Sequence, residues 1–410
     1  MQELSYLIGR QPILNRLEKI ECYELLFRSL ESPGYANIKD SIQATSQVVV
    51  NSLSGFKIED VLGAYQGLIN VDSEMLMSDM IELLPAGKIG LELLNSTNIT
   101  PEVIKRLCYL KTLGYILVLD DHLYSAEYEG LYNGIIDIIK IDLIRTPLER
   151  VYQMVDSLKR YPLKLLAENV ESRHVYLRSR SMGFELFQGF FFARPSTLQK
   201  KRLSESTHTF FKLMQQLNDD SDITAIEHTF KLSPALTYKL LLLVNSVSLG
   251  RREKIRTVTH AITLIGLQQI KRWVQLAIFA NDSSQDLDNP LLDMVAARAA
   301  FLEKLAKVHP DTCSLPDASA EAFMIGTLSL LGDCFGFTID EMVEGLNLSE
   351  NLQNALVLRK GPLGELLRIA ELIERMEFEE ATELLNQAGI PLLSVLNCQT
   401  AAFKWRENFG

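Results

Sequence analysis

Tyr115-Ile-Leu-Val-Leu-Asp-Asp121 and, about a helix later, Ile138-Ile-Lys-Ile-Asp142 are short apolar runs that end abruptly in carboxylates. Short runs of branched residues suit strands buried on both faces, as in a parallel sheet. Charge enters only where each strand emerges, and that C-terminal edge is where α/β folds hold ligands and metals. Lys140 lies two residues before Asp142 and so shares its pleat face. One such strand leaves two readings open, a divalent-metal site or merely solvated strand ends.

Working outward, residues 5 to 195 alternate strand-like and helix-like stretches. Strands are expected at Tyr6–Leu14, Glu21–Arg28, Gly67–Asp72, Lys88–Leu93, Tyr115–Asp121, Ile135–Asp142, Leu163–Asn169 and Leu186–Ala193. Helices are expected at Ser41–Ser54, Ser73–Leu84, Thr100–Leu113, Pro147–Tyr161 and Arg173–Met182. Repeated βα units imply a parallel sheet, and their number fits a compact TIM-like (β/α) barrel, with an open doubly wound sheet as the alternative. No GxGxxG or GxxxxGK[ST] loop is present, so a dinucleotide or P-loop reading has no support.

The polar residues of these strands are few and regularly placed: Glu24, Asn70, Glu92, Asp120 with Asp121, Lys140, Glu168 and Gln188. Isolated buried carboxylates are strongly unfavourable, so several must share a site and a compensating cation. Oxygen donors favour Mg²⁺ or Mn²⁺ over zinc, and two such ions with a water between them make a phosphodiester-cleaving centre.

In order along the chain, Gln11-Pro-Ile13, Glu24-Leu-Leu-Phe-Arg28, Asn70, Glu92, Asp120-Asp121, Lys140-Ile-Asp142, Ala167-Glu-Asn-Val-Glu171 and Gln188-Gly-Phe190 resemble the motifs of the EAL domain family. Members are cyclic-di-GMP phosphodiesterases or their non-catalytic, nucleotide-sensing relatives. The resemblance implies that Glu24, Asn70, Glu92 and Asp120 ligate one metal ion, with Asp120, Asp121 and Glu168 serving a second. It implies that Lys140 orients or polarises the attacking water, Gln188 supports the site and Arg28 meets a ligand phosphate. It also implies a homodimer through the barrel. The sequence departs from the family pattern after the acid pair. Asp121 is followed by His122-Leu-Tyr-Ser-Ala-Glu127, where active members carry a Phe-Gly-x-Gly loop, and Asn95 stands where a loop-anchoring acid is usual. Glycine permits torsions that other residues resist, so this loop is expected to take another path.

Residues 198–206 form a polar, basic boundary, giving domains at 1–197 and 207–410. Beyond it helical spacing takes over at Phe210–Leu217, Ile223–Leu232, Pro234–Val247, Val258–Ile265, Leu267–Ala280, Leu291–Ala306, Ala320–Gly332, Ile339–Leu346, Glu350–Leu358, Leu363–Arg375 and Phe378–Gln387. Segments 232–246, 255–266 and 322–329 resemble the HDOD domain, an output or interaction module related to HD-type phosphohydrolases. None of the six histidines precedes an Asp, and Ser329-Leu-Leu-Gly332 stands where His-Asp-x-Gly would be expected, so this half is expected to be non-catalytic.

A net charge of −11 argues against nucleic-acid binding through a basic surface, with Arg251 to Arg256 the one basic cluster to consider. Five widely spaced cysteines without a CxxC pair suggest reduced thiols in a cytoplasmic protein. No signal peptide or membrane span is expected. Two functions remain. The first is a cyclic-di-GMP signalling protein whose partly degenerate barrel binds the nucleotide or serves as scaffold while the HDOD half engages a protein partner. The second is a Mg²⁺- or Mn²⁺-dependent phosphodiesterase producing pGpG under HDOD control.

Overall fold

A computed structural model describes residues 6–29, 58–122, 124–192, 205–218, 223–231, 266–277, 290–315, 317–330 and 348–407. The apolar runs form strands β1 (Tyr6–Asn15), β2 (Ile20–Ser29), β3 (Gln66–Val71), β4 (Ile89–Leu93), β5 (Ile116–Leu119), β6 (Ile138–Asp142), β7 (Lys164–Glu168) and β8 (Leu186–Gln188). They close into one barrel in chain order. The strands from β2 to β8 are parallel, but β1 runs antiparallel to both of its neighbours. That corrects the expectation of a wholly parallel sheet. Only Arg16 to Lys19 separate β1 from β2, far too little chain for a crossover, so the connection must be a hairpin. Asn15 Oδ1 ties that turn by accepting from the backbone N–H of Leu17 and Lys19 at 2.9 and 3.2 Å.

An apolar layer formed by Ile13, Cys22, Leu68, Val118, Ile138, Leu166 and Leu186 fills the barrel interior. Side chains two apart share a face. The next inward position toward the C-terminal ends is therefore Glu24, Asn70, Asp120, Lys140, Glu168 or Gln188 according to strand. On the reversed β1 the equivalent of that step is Gln11, two residues before Ile13. A dry plug thus underlies a polar layer at the mouth.

Helices α1 (Ile58–Leu62), α2 (Ser73–Met77), α3 (Pro101–Thr112), α4 (Glu129–Tyr132), α5 (Leu148–Leu158) and α6 (Arg173–Met182) accompany the strands. Thr100 and Ser172 cap α3 and α6 with side-chain oxygens. The single helix expected at Ser73–Leu84 is instead broken at Ser78, whose hydroxyl accepts from Met80 N–H and starts a separate 3₁₀ turn at Asp79–Leu83. A serine side chain that bonds local backbone competes with the helix ladder. The expected helix Ser41–Ser54 lies outside the described residues.

The strand expected at Leu186–Ala193 stops at Gln188, and Phe190–Phe192 forms a 3₁₀ turn. Gly189 causes the change of direction, with φ at +140°. A Cβ there would lie 2.3 Å from the carbonyl oxygen of Val170. That tight approach lets Val170 N–H donate to Gln188 O at 2.8 Å and Phe191 N–H donate to Val170 O at 3.1 Å. Gly189→Ala is therefore expected to cost at least about 2 kcal/mol, measured by urea unfolding. A loss under about 0.5 kcal/mol would show that this crossing is not constrained.

From residue 205 onward every described element is a helix: Glu205–Asn218, Ile223–Lys231, Leu267–Ala277, Pro290–Leu305, Ala318–Leu328, Glu350–Leu358, Gly361–Glu374, Phe378–Gln387 and Leu392–Glu407. The last of these was not expected, because its polar and apolar residues do not segregate by spacing. Pro290–Leu305 packs against both Ala318–Leu328 and Leu392–Glu407. Gly326 permits the first contact, since a Cβ there would lie 2.7 Å from Ala299 Cα. Trp405 meets Phe323 edge to face at 5.6 Å. Expected helices Pro234–Val247, Val258–Ile265 and Ile339–Leu346, with the 251–256 cluster, lie outside the described residues. By packing, the chain divides into two units, Met1–Ser196 with Ile373–Thr382, and Thr197–Leu372 with Glu383–Gly410. No helix among the described residues is long and apolar enough to cross a membrane.

Candidate functional site

Glu24 is the hub of the polar layer. Its Oε2 accepts from Lys140 Nζ at 3.0 Å and from Gln188 Nε2 at 2.7 Å, and its Oε1 accepts from Asn70 Nδ2 at 3.3 Å. Lys140 Nζ also donates to Glu92 Oε1 at 2.6 Å and stands 4.0 Å from Glu168 Oε1. Residues of β2, β3, β4, β6 and β8 thus meet in one bonded cluster. Glu24, Glu92, Lys140 and Gln188 are each no more than 5% exposed.

At this depth two glutamates share one ammonium. Burial would raise the pKa of Glu24, yet Lys140 and the amides of Gln188 and Asn70 hold it below the usual carboxylate value. Glu92 goes the other way. Burial and the neighbouring Glu24 charge lift it well above the ordinary value, against the pull of Lys140. Burial opposes the charge on Lys140, but Glu24, Glu92, Glu168 and Asp120 keep its ammonium well above the usual value. Lys140 is thus shared by Glu24 at 3.0 Å and Glu92 at 2.6 Å, and two buried carboxyls have one ammonium between them.

Asp120 sits just past the end of β5, its backbone N–H bonded to Leu93 O at 3.0 Å. Burial raises its pKa, offset in part by Lys140 and reinforced by Glu24 and Asp121. Asp121 takes φ of +45° and Asn169, after Glu168, takes +60°. Left-handed backbone at two non-glycine residues beside the cluster is the kind of strain that functional sites store, and Asp and Asn tolerate it best. Asp142 turns out to be structural, since its Oδ1 accepts from Ile144 and Arg145 N–H at 2.7 and 3.0 Å. Arg28 lies on β2 opposite Leu7, and its side chain is outside the described residues. Gln11, given no role by sequence reasoning, accepts from Gln188 Nε2 at 2.9 Å. Its signal was present in the Gln11-Pro-Ile13 motif.

Carboxylate and amide oxygens with no thiolate or imidazole suit hard divalent ions. Glu92 Oε2 and Gln188 Oε1 are buried without a hydrogen-bond partner. An interior oxygen in that condition costs about 1–3 kcal/mol until something meets it. In donor chemistry and in these orphaned atoms the residues fit a cation. Among the described residues, however, no three Asp, Glu, His or Cys are already gathered as a metal cage. Lys140 Nζ lies between Glu24 and Glu92 and supplies the positive charge instead.

Glu168 gives this cluster a pH dependence. Burial pushes its carboxyl up to about 7, with Glu24, Asp120 and Asp142 adding to the shift and Lys140 only partly opposing it. A group whose folded pKa lies above its unfolded value adds stability below the unfolded value and loses it as pH rises through the folded one. The Glu168 contribution is thus whole below about pH 4.5 and gone above about 7. Glu92 and Asp120 act in the same sense. In chelating buffer, the Tm of wild type is expected to fall more steeply between pH 5 and 8 than that of Glu168→Gln. Parallel profiles would remove Glu168 from this account.

A reversed first strand in an otherwise parallel eight-stranded barrel, with acids, amides and one lysine at its mouth, places the first half in a definite class. Residues 43–195 match the family model of the EAL domain, and residues 203–354 match that of the HDOD domain. The chain is an EAL domain followed by an HDOD domain. The EAL match begins after β1 and β2, which close the same barrel and carry Gln11 and Glu24. Over 408 residues the chain is 29% identical to the Bacillus subtilis protein YuxH, covering 98% of each. It is 27% identical over 415 residues to the cyclic di-GMP phosphodiesterase CdgJ of Vibrio cholerae, covering 98% of this chain and 93% of that one. Among solved structures, it is 23% identical to a standalone EAL protein from Vibrio cholerae O395 in its c-di-GMP bound form. That alignment covers 48% of this chain and 94% of the other, with a TM-score of 0.37. The EAL domain of Mycobacterium smegmatis DcpA is 22% identical over 45% of this chain and 91% of its own, with a TM-score of 0.36.

In the second unit, Ser329 follows the helix Ala318–Leu328. Its hydroxyl accepts from Arg298 Nη1 at 2.8 Å and donates to Gly326 O at 2.9 Å. Those bonds occupy it as a structural link between two helices.

Proposed function

We propose that the chain is a cyclic-di-GMP signalling protein whose barrel mouth binds the nucleotide through divalent cations, with the HDOD half, from about residue 207, as a protein-interaction module. The observation that carries this is the buried cluster of Glu24, Glu92 and Lys140 with the Asn70 and Gln188 amides. A cyclic dinucleotide brings two phosphate charges. It would be repelled by a mouth bearing Glu24, Glu92, Asp120, Asp121 and Glu168 unless cations lay between them. Glu24, Asn70, Glu92 and Asp120 would hold one ion, and Asp120, Asp121 and Glu168 a second. Bound Mg²⁺ or Mn²⁺ would neutralise the phosphate and make a water more acidic.

The depth and contacts of Lys140 favour a second reading, hydrolysis. An ammonium fixed by Glu24 and Glu92 is held at the mouth, where an attacking water or the charge developing on the phosphate could be met. Water oxygen would bond to one phosphorus as its bond to the ribose 3′ oxygen breaks, giving linear pGpG. Calorimetry with cyclic-di-GMP, with and without Mn²⁺, tests the binding proposal, and chromatography of the same mixture tests turnover. Binding that requires Mn²⁺ is the expected result, and pGpG in the mixture adds hydrolysis. Absence of binding with Mn²⁺ present would overturn both readings.

A further inference from the structure

The loop after β5 has no glycine between Asp120 and Glu129, although it begins with Asp121 in left-handed backbone. That conformation costs a non-glycine residue on the order of 1–2 kcal/mol and persists only where the surroundings fix it. Asn95, in the turn that follows β4, is exposed. The loop's bonds run instead to Tyr132 of α4. The Tyr132 hydroxyl lies 2.8 Å from His122 Nε2 and accepts from Ser125 N–H at 3.2 Å. One oxygen therefore clamps the loop at the residue next to Asp121 and again three residues on.

The clamp is itself immobilised. Tyr132 is fully buried and its ring is stacked on Tyr124 at 5.8 Å. The His122 ring also meets the Tyr132 ring edge to face at 5.8 Å. The phenol oxygen thus accepts from Ser125 N–H and is hydrogen-bonded to His122 Nε2, in the sense set by the imidazole tautomer. Both bonds are local in sequence and part-buried, meeting at a hydroxyl whose own residue is fully buried.

We propose that Tyr132 is a positioning residue for the Asp120–Asp121 pair, acting through His122 and Ser125 to hold the two carboxylates at the barrel mouth. This rests on the reading above in which the pair holds divalent cations. A buried phenol fixes the glycine-free loop that follows the acid pair.

The test is a Mn²⁺ titration of the full chain without nucleotide, read from the paramagnetic resonance signal of free Mn²⁺. Tyr132→Phe removes the hydroxyl and keeps the ring, and His122→Ala removes the same bond from the other side. Each is expected to weaken Mn²⁺ binding about tenfold or more. The double variant should be no worse than either single by more than about twofold, because both break one link. His122→Gln, which can place an amide oxygen near the same point, should recover most of the affinity. If wild type binds Mn²⁺ and both single variants bind it equally well, the positioning role is overturned and the cation site stands. If wild type itself binds none, the cation reading fails, and the proposal with it. A variant that only loosened the fold would lower Tm without this pattern of loss, non-additivity and recovery.

Discussion

Lys140→Met is expected to lower the stability of the metal-free chain by about 3–5 kcal/mol, the usual cost of removing one partner from a buried ionic cluster. The substitution leaves Glu24 and Glu92 close together, both nearly inaccessible, without the ammonium they share. Methionine fills much of the volume, so the loss reports charge and not a cavity. Urea unfolding in chelating buffer measures it. Adding Glu92→Gln to Lys140→Met should return part of the loss, since one of the two stranded carboxyls disappears. A single-variant loss below about 1 kcal/mol would mean that Lys140 does not balance these acids.

Glu24→Gln should give the opposite pattern, a small effect on stability and a large one on function. Removing Glu24's charge leaves Lys140 matched to Glu92 alone, so the interior keeps one ion pair and the cost is expected to stay near 1–2 kcal/mol. The cation site loses its most connected donor, the one that Lys140, Gln188 and Asn70 all address. Mn²⁺-dependent affinity for cyclic-di-GMP should fall at least a hundredfold, equivalent to about 2.7 kcal/mol. Any pGpG formation should fall below one-thousandth of wild type, about 4 kcal/mol of transition-state stabilisation. Calorimetry and product chromatography on the same preparation read both. Retention of Mn²⁺-dependent binding within threefold would exclude Glu24 from the site.

How far these residues could be read from the chain follows from what each feature depends on. Glu24, Asn70, Glu92, Lys140 and Gln188 were visible because each is flanked on both sides or preceded by apolar residues in a short strand-like run. Their meeting follows from the period of two and from barrel closure, which carry separate sequence positions to one layer. The direction of β1 was missed, although the brevity of Arg16 to Lys19 already excludes a parallel crossover. The ends of α2 and β8 depended on single residues, the Ser78 hydroxyl and the Gly189 torsion, whose effect is decided by what lies opposite. Asp142 reads like its acidic neighbours, and only its bonds to Ile144 and Arg145 N–H separate it from them. Tyr132 had no local signal at all. Its role comes from His122 and Ser125 folding back onto α4 across the loop.

Crystals grown with Mn²⁺ and cyclic-di-GMP, measured at a wavelength where manganese scatters anomalously, test the central claim most directly. The expected map holds a manganese peak at the barrel mouth bounded by oxygens of Glu24, Asn70, Glu92 and Asp120, with a nucleotide phosphate against it. A map with no peak there, and Lys140 Nζ still bridging Glu24 and Glu92, would contradict it.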